Sequence, residues 1–346
     1  MKELKAKSLK HVTMKDVAKF VGVSQATVSH VINESASISE EVTGKVQNAI
    51  KELRYMPNAL AKWLKQKKTN TIGLIIPDID SGYYAEIAKG VETTLRKHGF
   101  ITFLCNTFYN SELEKLYIET LAQQSVEGIL ICYGLVNKKI YEEICNLGIN
   151  VVVLDDKEEI DGTLIPSVEV NNINGSMLAV EHIYNVGAKK ICFVSEPLFN
   201  RALKLRYKGF QIAIQKFGYK DSDVKVYIEN NQYNKIEMGY NLGAQVLLNR
   251  NIEAVFASTD SLAFGIMQRF KEHKINIPND ILVIGYDDIP LCKLVTPTLT
   301  TISQPKYLMA KKGVEILLKV INGDTSDLYF MMEPSLIIRE STMKKA

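Results

Sequence analysis

Most of the short motifs that mark enzymes and metalloproteins are missing from this chain of 346 residues. It contains no G-x-S-x-G, no P-loop and no G-x-G-x-x-G, so it offers no candidate for a nucleophile elbow or a nucleotide-binding loop. Its five cysteines include no C-x-x-C pair, and its five histidines lack metal-site spacing. We therefore predict a protein that is not an enzyme and that has no catalytic residues, no metal and no cofactor.

Long apolar runs and a secretion signal are absent as well. No stretch approaches the roughly 18 apolar residues that a membrane-spanning helix needs, and the N-terminus lacks the pattern of a signal peptide. Most of the cysteines lie within apolar runs, which predicts buried free thiols in a reducing compartment. Together these features predict a cytoplasmic protein that does not enter a membrane.

Charge is distributed unevenly along the chain. Residues 1–70 contain 13 Lys and Arg against six Asp and Glu, whereas the remainder contains 29 against 33. A basic segment joined to a mildly acidic body is the distribution expected of a nucleic-acid-binding module attached to a second domain. The first part of that basic segment, residues 1–11, is Lys-rich and is predicted to be a disordered extension.

Residues 13–33 predict two short helices joined by a tight turn. Thr13 begins the first helix with a capping-box pattern, since Asp16 follows three positions later. Gly22 can adopt a turn conformation that a side chain would penalise, and Ser24 can cap the second helix. A helix-turn-helix of this kind places the start of its second helix in the DNA major groove, although a plain helical hairpin would show the same pattern.

A third amphipathic segment follows at about 39–53, where apolar residues recur at helical spacing and Ser39 can provide the N-cap. Three such helices can bury a small shared core, so we predict a DNA-binding domain over residues 12–57. The next segment, residues 58–70, combines an apolar helical face with four lysines. It is too short and too charged to be a stable helix alone, and it predicts either a hinge helix or a solvated linker.

The order of the motifs along the chain indicates one protein family more specifically than any single motif does. After the third helix come Tyr55-Met-Pro-Asn-Ala-Leu-Ala-Lys-Trp-Leu64 and then Ile72-Gly-Leu-Ile-Ile-Pro77. This order closely resembles the lactose-repressor (LacI/GalR) family of bacterial regulators, and the likeness extends from about Val12 to about Ser341. The resemblance implies a sequence-specific regulator of transcription, a repressor, that binds pseudo-palindromic, double-stranded operator DNA as a homodimer.

The resemblance also assigns DNA contacts. The side chains that would read bases in the major groove are Gln25, Ala26 and His30. Those placed for phosphates, which orient a protein without reading sequence, are Ser24, Thr27, Ser29 and Asn33. In the family the segment at 58–70 forms a hinge helix in the minor groove on operator DNA. The residues with that role here are Asn58, Ala61, Lys62 and Leu64, the last of which would wedge into a base step.

The remaining residues, 71–346, alternate short apolar runs with helix-length amphipathic stretches, which predicts parallel sheets in βαβ units. The candidate strands are 71–77, 101–107, 128–134, 150–155, 167–171, 190–195, 224–229, 254–258, 281–286 and 299–303. The resemblance implies a two-lobed, periplasmic-binding-protein-like α/β domain for effector binding and dimerisation. Its lobe one spans about 71–171 plus 304–331, and its lobe two spans about 172–303 plus 332–346.

In open α/β sheets ligands bind beyond the carboxyl ends of the strands, here in a cleft between the lobes. The effector contacts that strand ends and the resemblance indicate are Tyr83, Tyr84, Asn171, Arg206, Tyr233, Thr259 and Asp287. An Arg–Asp pair flanked by aromatic and polar side chains suits a polyhydroxylated ligand, so we predict a small-molecule effector, a sugar or sugar derivative. Asp260 is expected to support a strand–helix turn instead.

Three rival functions can be weighed from the sequence. A secreted solute-binding protein would need an export signal and no basic N-terminal segment, and a Rossmann-type enzyme would need a phosphate-binding loop. A global regulator co-activated by a phosphorylated carrier protein docked on lobe one is the alternative within the family. Lys306, Lys311, Lys312 and Lys319 leave it open, but Glu315 stands where such a regulator presents Arg.

Overall fold

The computed structural model describes residues 12–33, 35–55, 69–132, 143–157, 159–160, 163–229, 234–249 and 251–343. The chain divides into two compact units, of which the second begins at Thr69. The predicted extension at 1–11 lies outside the described residues. So do five of the predicted site residues: Asn58, Ala61, Lys62, Leu64 and Tyr233.

The N-terminal unit is a three-helix bundle of α1 (Met14–Val21), α2 (Gln25–Asn33) and α3 (Glu40–Glu52). One valine from each helix is fully buried in its core: Val17, Val28 and Val46. Ala18, Ala49 and Tyr55 complete this core. Because each helix alone is too short to be stable in water, the shared apolar core is what holds the three together.

The helix ends follow the sequence pattern with one exception. Thr13 and Asp16 form the predicted capping box, Gly22 has a left-handed φ of 78°, and the amide of Thr27 donates to Ser24 Oγ over 3.0 Å. Ser39 is the N-cap residue of α3, as predicted, but its hydroxyl makes no capping hydrogen bond. Two glutamates in the first turn of α3 supply negative charge at its N-terminus instead.

In the second unit, lobe one is built on a parallel sheet of six strands with the order β13-β7-β4-β3-β1-β2. Its strands are β1 (Thr71–Ile76), β2 (Ile101–Asn106), β3 (Gly128–Cys132), β4 (Asn150–Leu154), β7 (Ser167–Val170) and β13 (Tyr329–Met332). Its helices are α4 (Gly82–Lys97), α5 (Ser111–Gln123) and α10 (Lys306–Ile321). Gly90 lets α4 and α10 approach closely, since a Cβ there would lie 2.7 Å from the Cβ of Ala310.

Lobe two is built on a second sheet of six strands with the order β14-β12-β11-β10-β8-β9, parallel except for β14. Its strands are β8 (Ile191–Ser195), β9 (Val224–Ile228), β10 (Ala254–Ala257), β11 (Leu282–Asp287), β12 (Thr300–Ser303) and β14 (Ser335–Ile337). Its helices are α6 (Asn172–Asn185), α7 (Arg201–Lys216), α8 (Lys235–Leu248) and α9 (Asp260–Glu272). The described part of this lobe also contains three 3₁₀ turns: Asp221–Asp223, Pro290–Lys293 and Glu340–Thr342.

The chain passes between the two sheets three times, between β7 and α6, between β12 and α10, and between β13 and β14. The first and third crossings are joined, because Asn171 Nδ2 donates to Glu333 Oε1 over 3.0 Å. The arrangement confirms the predicted class, a helix-turn-helix headpiece plus a two-lobed α/β body. The lobe boundaries given above stay predictions.

All ten predicted strands are present, and eight of them are one residue shorter than predicted. Residues 133–134 of the predicted strand 128–134 lie outside the described residues. The ranges that the structure describes contain four additional strands: the edge strands β13 and β14, and a small hairpin of β5 (Glu159–Ile160) and β6 (Thr163–Leu164). These segments are only two to four residues long, so alternation along the sequence could not reveal them.

The cysteine prediction holds for most positions. All five thiols are free, and Cys132, Cys192 and Cys292 are buried, but Cys105 is half-buried and Cys145 is exposed. Across the described residues, no cluster of His, Cys, Asp and Glu could hold a metal ion. In the same part of the chain no helix has the length and apolar content required to cross a membrane.

Candidate functional site

The outward face of α2 is polar and accessible. Gln25 and Ala26 are exposed at its first turn, while Val28 on the opposite face is fully buried. His30 lies one turn further along, half-buried, with its Nδ1 3.0 Å from Ser35 Oγ. The three predicted base-reading side chains therefore lie on the accessible part of one short helix.

The four predicted phosphate contacts are paired with each other on the same helix. Ser24 Oγ lies 2.8 Å from Thr27 Oγ1, and Asn33 Nδ2 donates to the carbonyl oxygen of Ser29 over 2.8 Å. These bonds orient hydroxyl and amide groups before any ligand is present. Groups that are already oriented lose less conformational freedom on binding.

Arg206 on α7 is the centre of the cleft between the lobes, and only 4% of it is exposed. Its Nε donates to Asn172 Oδ1 over 2.9 Å, and its Nη1 donates to the carbonyl oxygen of Ser258 over 2.7 Å. The guanidinium carbon lies 3.8 Å from the ring centroid of Tyr286. An arginine held by amide, carbonyl and aromatic partners keeps one geometry.

Asp287 ends β11 and is the acidic partner of this arginine, with 3.3 Å between its Oδ1 and Arg206 Nη1. Gln304, in the second crossing, donates from Nε2 to the same oxygen over 2.7 Å. The hydroxyl of Tyr83 on α4 lies 3.4 Å from Gln304 Oε1. A continuous polar chain therefore runs from lobe one through the crossing to the ion pair in lobe two.

Two further carboxyl groups border the pair. Burial raises the pKa of Asp155 to about 6, although Arg206 opposes this shift. The Oδ1 atom of Asp155 is buried and has no hydrogen-bond partner among the described residues. Burial, with the negative charge of Asp287, also raises the pKa of Asp260 to about 7. Asp260 accepts from the amide of Ile289 over 2.9 Å and from the hydroxyl of Thr301, so it connects the start of α9 to β12 and to the segment after β11. Its predicted support of the strand–helix turn stays a prediction.

One edge of the cleft is closed by an aromatic and charged cluster. Tyr109 of lobe one faces Phe199 of lobe two, with 6.5 Å between ring centroids, and Lys235 Nζ lies 5.5 Å from the Tyr109 ring. Lys235 also pairs with Glu196 over 2.9 Å. Burial disfavours its charge, but Glu196 raises the pKa of Lys235 above its usual range, so the two remain an ion pair.

One group of opposite charges connects the two lobes across the cleft. Arg201, at the start of α7 in lobe two, lies 3.3 Å from Glu169 and 3.9 Å from Asp156, both in lobe one. The hydroxyl of Tyr329 donates to Glu169 over 2.5 Å. The lobes are thus joined by the Tyr109–Phe199 and Arg201–Glu169 contacts as well as by the bond from Gln304 to Asp287.

The structure brings together three of the predicted effector residues, Tyr83, Arg206 and Asp287. Tyr84 packs edge-to-face on Tyr83, with 5.1 Å between ring centroids, while Thr259 caps α9 by accepting from the amide of Leu262. Asn171 lies in the first crossing between the lobes, where it caps α6 and bonds to Glu333. Its neighbour Asn172 is the amide that reaches Arg206.

Several cleft residues were not among the predicted contacts. Four that interact with the ion pair are Asp155, Asn172, Tyr286 and Gln304. Asp155 and Gln304 each follow directly after a strand, so the rule that ligands bind beyond strand ends could have found them. Asn172 and Tyr286 carry no such signal, because one begins a helix and the other lies inside a strand.

Comparisons with known proteins agree with this architecture. The model of bacterial regulatory proteins of the lacI family matches residues 13–58. The model of periplasmic binding proteins and the sugar binding domain of the LacI family matches residues 69–329. The ribose operon repressor of Escherichia coli (strain K12) is 34% identical over 314 residues, which cover 90% of this chain and 94% of that protein.

Solved structures agree as well. The lac repressor dimer bound to operator and the anti-inducer ONPF has a TM-score of 0.82 at 25% identity, covering 97% of this chain and 100% of that one. A LacI family transcriptional regulator from Enterococcus faecium with bound ribose has a TM-score of 0.70 at 28% identity, covering 79% of this chain and 98% of that one. Because both domains match in order and over nearly all of their length, the chain belongs to the LacI family of bacterial regulatory proteins.

Proposed function

We propose that this protein is a cytoplasmic, homodimeric transcriptional repressor whose affinity for operator DNA is set by a neutral sugar bound between its lobes. The observation that carries the proposal is the buried Arg206–Asp287 pair, which lies where the two lobes meet. A ligand that bonds to both residues would favour one arrangement of the lobes. Differential affinity for two arrangements is what allows a ligand to shift a protein between them.

The charge balance of the cleft favours a neutral polyhydroxylated effector. Arg206 is balanced by Asp287 and Lys235 by Glu196, so a phosphate or carboxylate would have to compete with these existing pairs. Asp155 Oδ1 is an acceptor without a partner in the described part of the chain, and a sugar hydroxyl can donate to it. The bound ribose of the related Enterococcus faecium regulator supports this class of ligand.

For operator recognition we assign the accessible face of α2. Gln25 can bond to adenine, Ala26 can contact a thymine methyl, and His30 can donate to or accept from a base edge. Since Nδ1 of His30 already bonds to Ser35, its Nε2 is the atom that would reach the base. The phosphate contacts and the hinge residues named above keep the roles that the family resemblance gives them, as proposals.

Exposed apolar side chains support a homodimer. The edge strand β2 exposes Ile101, Phe103 and Leu104, and Ile101 is 61% exposed. In lobe two Leu294 is 76% exposed beside the half-buried Val295. Edge strands with large apolar side chains are usually covered, and the related lac repressor structure is a dimer.

Docking of a phosphorylated carrier protein on lobe one is not favoured. Glu315 on α10 lies 3.7 Å from Lys311 and 4.0 Å from Lys312. Its carboxylate reduces the positive charge of the surface that would have to accept a phosphate group.

Thermal unfolding with a ligand panel tests the proposed effector class. We expect a neutral pentose or hexose at 100 times its Kd to stabilise the protein by about 2.7 kcal/mol, and sugar acids and sugar phosphates to have no such effect. Arg206→Met should abolish the stabilisation. Lys204→Met, on an exposed position of the same helix, should keep it. Stabilisation by phosphorylated sugars alone, or an unchanged response of Arg206→Met, would contradict the proposal.

A further inference from the structure

Lys306 is a lysine with only 6% of its surface exposed, although lysines are almost never buried unless they are paired. It is the first residue of α10, directly after the second crossing between the lobes. Its Nζ donates to the carbonyl oxygens of Asp287 over 2.5 Å and Asp288 over 3.0 Å, and lies 3.0 Å from Glu86 Oε2. Three acceptors match the three donors of an ammonium group.

These three acceptors belong to both lobes. Asp287 ends β11 of lobe two and Asp288 follows it directly, whereas Glu86 is on α4 of lobe one. The same crossing also carries Gln304, whose Nε2 bonds to the Asp287 carboxylate. One short segment therefore holds Asp287 at two points, the side chain through Gln304 and the main chain through Lys306.

The main chain at this point needs such support. Asp287 has a φ of 116° and Asp288 a φ of 52°, a backbone region that residues with a side chain rarely adopt. This conformation points both carbonyl oxygens at one ammonium group. On the other side, the Asp288 carboxylate accepts from Arg339 Nη2 over 2.5 Å. The unusual backbone is thus fixed between a lysine of lobe one and an arginine of lobe two.

We propose that Lys306 is the positioning residue that sets Asp287 for the effector and links its main chain to helix α4 through Glu86. The proposal rests on the proposed function, since it takes Asp287 as an effector contact. A ligand that pulls on the Asp287 carboxylate also displaces its carbonyl oxygen, because the two groups share one Cα. Lys306 transmits that displacement to Glu86, and hence to α4 of lobe one.

The two ends of this link can be separated by substitution. Lys306→Met keeps an unbranched side chain out to Cε but removes the ammonium group with all three donors, so it releases both Asp287 and Glu86. Glu86→Gln, at a half-exposed position, removes the ion pair with α4 and leaves the bonds to the two carbonyl oxygens in place. Lys311→Met, on an exposed position of α10, is the matched control.

Calorimetry on the full-length protein with a neutral sugar from the panel measures the effector Kd. Operator titrations with and without that sugar measure two operator Kd values, whose ratio is called the operator ratio. Lys306→Met should weaken sugar binding about tenfold, as expected for losing hydrogen bonds to a charged group. Glu86→Gln should change sugar binding less than twofold and yet reduce the operator ratio at least threefold. If Lys306 and Glu86 only stabilised the fold, Glu86→Gln would not lower the operator ratio while leaving sugar binding unchanged. A wild-type sugar Kd and a wild-type operator ratio in both variants would overturn the proposal.

Hydrogen exchange on the ligand-free proteins tests the same link without any effector. Lys306→Met should speed exchange both in residues 284–292 and in α4, whereas Glu86→Gln should speed it in α4 alone. Faster exchange of residues 284–292 with α4 unchanged in Lys306→Met would overturn the link. If the wild type binds no sugar, the proposed function fails, and the exchange pattern still decides whether Lys306 joins the two lobes.

Discussion

The recognition helix and the interlobe cleft are both polar surfaces, but their hydrogen bonds span very different distances along the sequence. On the helix, Ser24 bonds to Thr27 and His30 to Ser35, three and five residues away. In the cleft, Arg206 bonds to Ser258, 52 residues away, and Tyr83 to a residue 221 positions away. The helix surface is thus organised by local structure, whereas the cleft exists only while both lobes hold their positions.

This contrast predicts how each surface responds to substitution. In the cleft, removal of one side chain leaves buried partners unsatisfied and affects the stability of the whole second unit. On the helix, the partners can bond to water, so substitutions should change DNA binding and leave stability nearly unchanged. The predictions below run from the largest expected effect to the smallest.

Arg206→Met should have the largest effect on stability. It leaves the buried Asp287 carboxylate without its arginine, and breaking a buried ion pair costs about 3–5 kcal/mol. Urea denaturation followed by circular dichroism measures the loss. Lys204→Met on the exposed face of α7 should cost less than 0.5 kcal/mol. Equal values for the two variants would mean that the ion pair contributes no more than a surface residue.

The pH dependence of the free energy of unfolding should show that Asp155 is neutral in the folded protein at low pH. Its pKa rises from the usual range to about 6 on folding because the group is buried, so its neutral form is favoured in the native state. The stability that it contributes is fully present below about pH 4 and is lost as the pH rises through 6, in total about 3 kcal/mol. Asp155→Asn should flatten this part of the profile.

Asp221→Asn, at an exposed position, is the control for this profile and should leave the wild-type slope intact. Part of the slope should remain in Asp155→Asn, because burial also raises the pKa of Asp260 to about 7. Melting temperatures measured between pH 4 and 8 give the comparison. A wild-type slope in Asp155→Asn would show that this carboxyl group is charged in the folded protein at all of these pH values.

His30→Ala tests the other side of the comparison. It should cost about 1–3 kcal/mol on the cognate operator and little on random DNA, while the melting temperature stays that of the wild type. Fluorescence anisotropy on both DNAs measures this. Ser35→Ala, which removes only the partner of Nδ1, should lose less. Equal losses of His30→Ala on both DNAs would make His30 a phosphate contact or a structural residue.

The smallest expected effect is the loss of stability when an N-cap side chain of the headpiece is removed, and it should differ between Thr13 and Ser39. Thr13→Ala should destabilise it by about 1 kcal/mol, because the Thr13 hydroxyl is part of a complete capping box. Ser39→Ala should have no measurable effect, since the Ser39 side chain makes no capping bond. Chemical denaturation followed by helix content compares the two. Equal losses would show that Ser39 does cap α3.

The same contrast explains what could be predicted from the sequence. The capping box at Thr13, the turn at Gly22 and the cap at Ser24 depend on residues within three positions of each other, and all were predicted correctly. The strands were also found, because each is a continuous apolar run. Ser39 stands at the predicted N-cap position, but the absence of its capping bond could not be predicted, since the same residue type at the same position can leave its hydroxyl unused.

The cleft could be predicted only in part. The family resemblance predicts Arg206 and Asp287. The sheet order that brings Asp155 and Gln304 beside them cannot be predicted from any local sequence pattern. Asn171 and Asn172 differ by one position, and the backbone at the start of α6 decides which one reaches Arg206. Lys306 was considered only as one of several lysines of lobe one, because its burial depends on β11 and α4 together.

Operator titrations with and without the stabilising sugar test the central claim most directly. The account predicts that the sugar changes the operator Kd of the full-length wild type and of Lys204→Met about 5- to 150-fold, the usual range for coupled sites. In Arg206→Met the two operator Kd values should be equal. An unchanged wild-type Kd with saturating sugar, or a full response in Arg206→Met, would contradict the claim that the Arg206–Asp287 pair in the cleft is where the effector controls DNA binding.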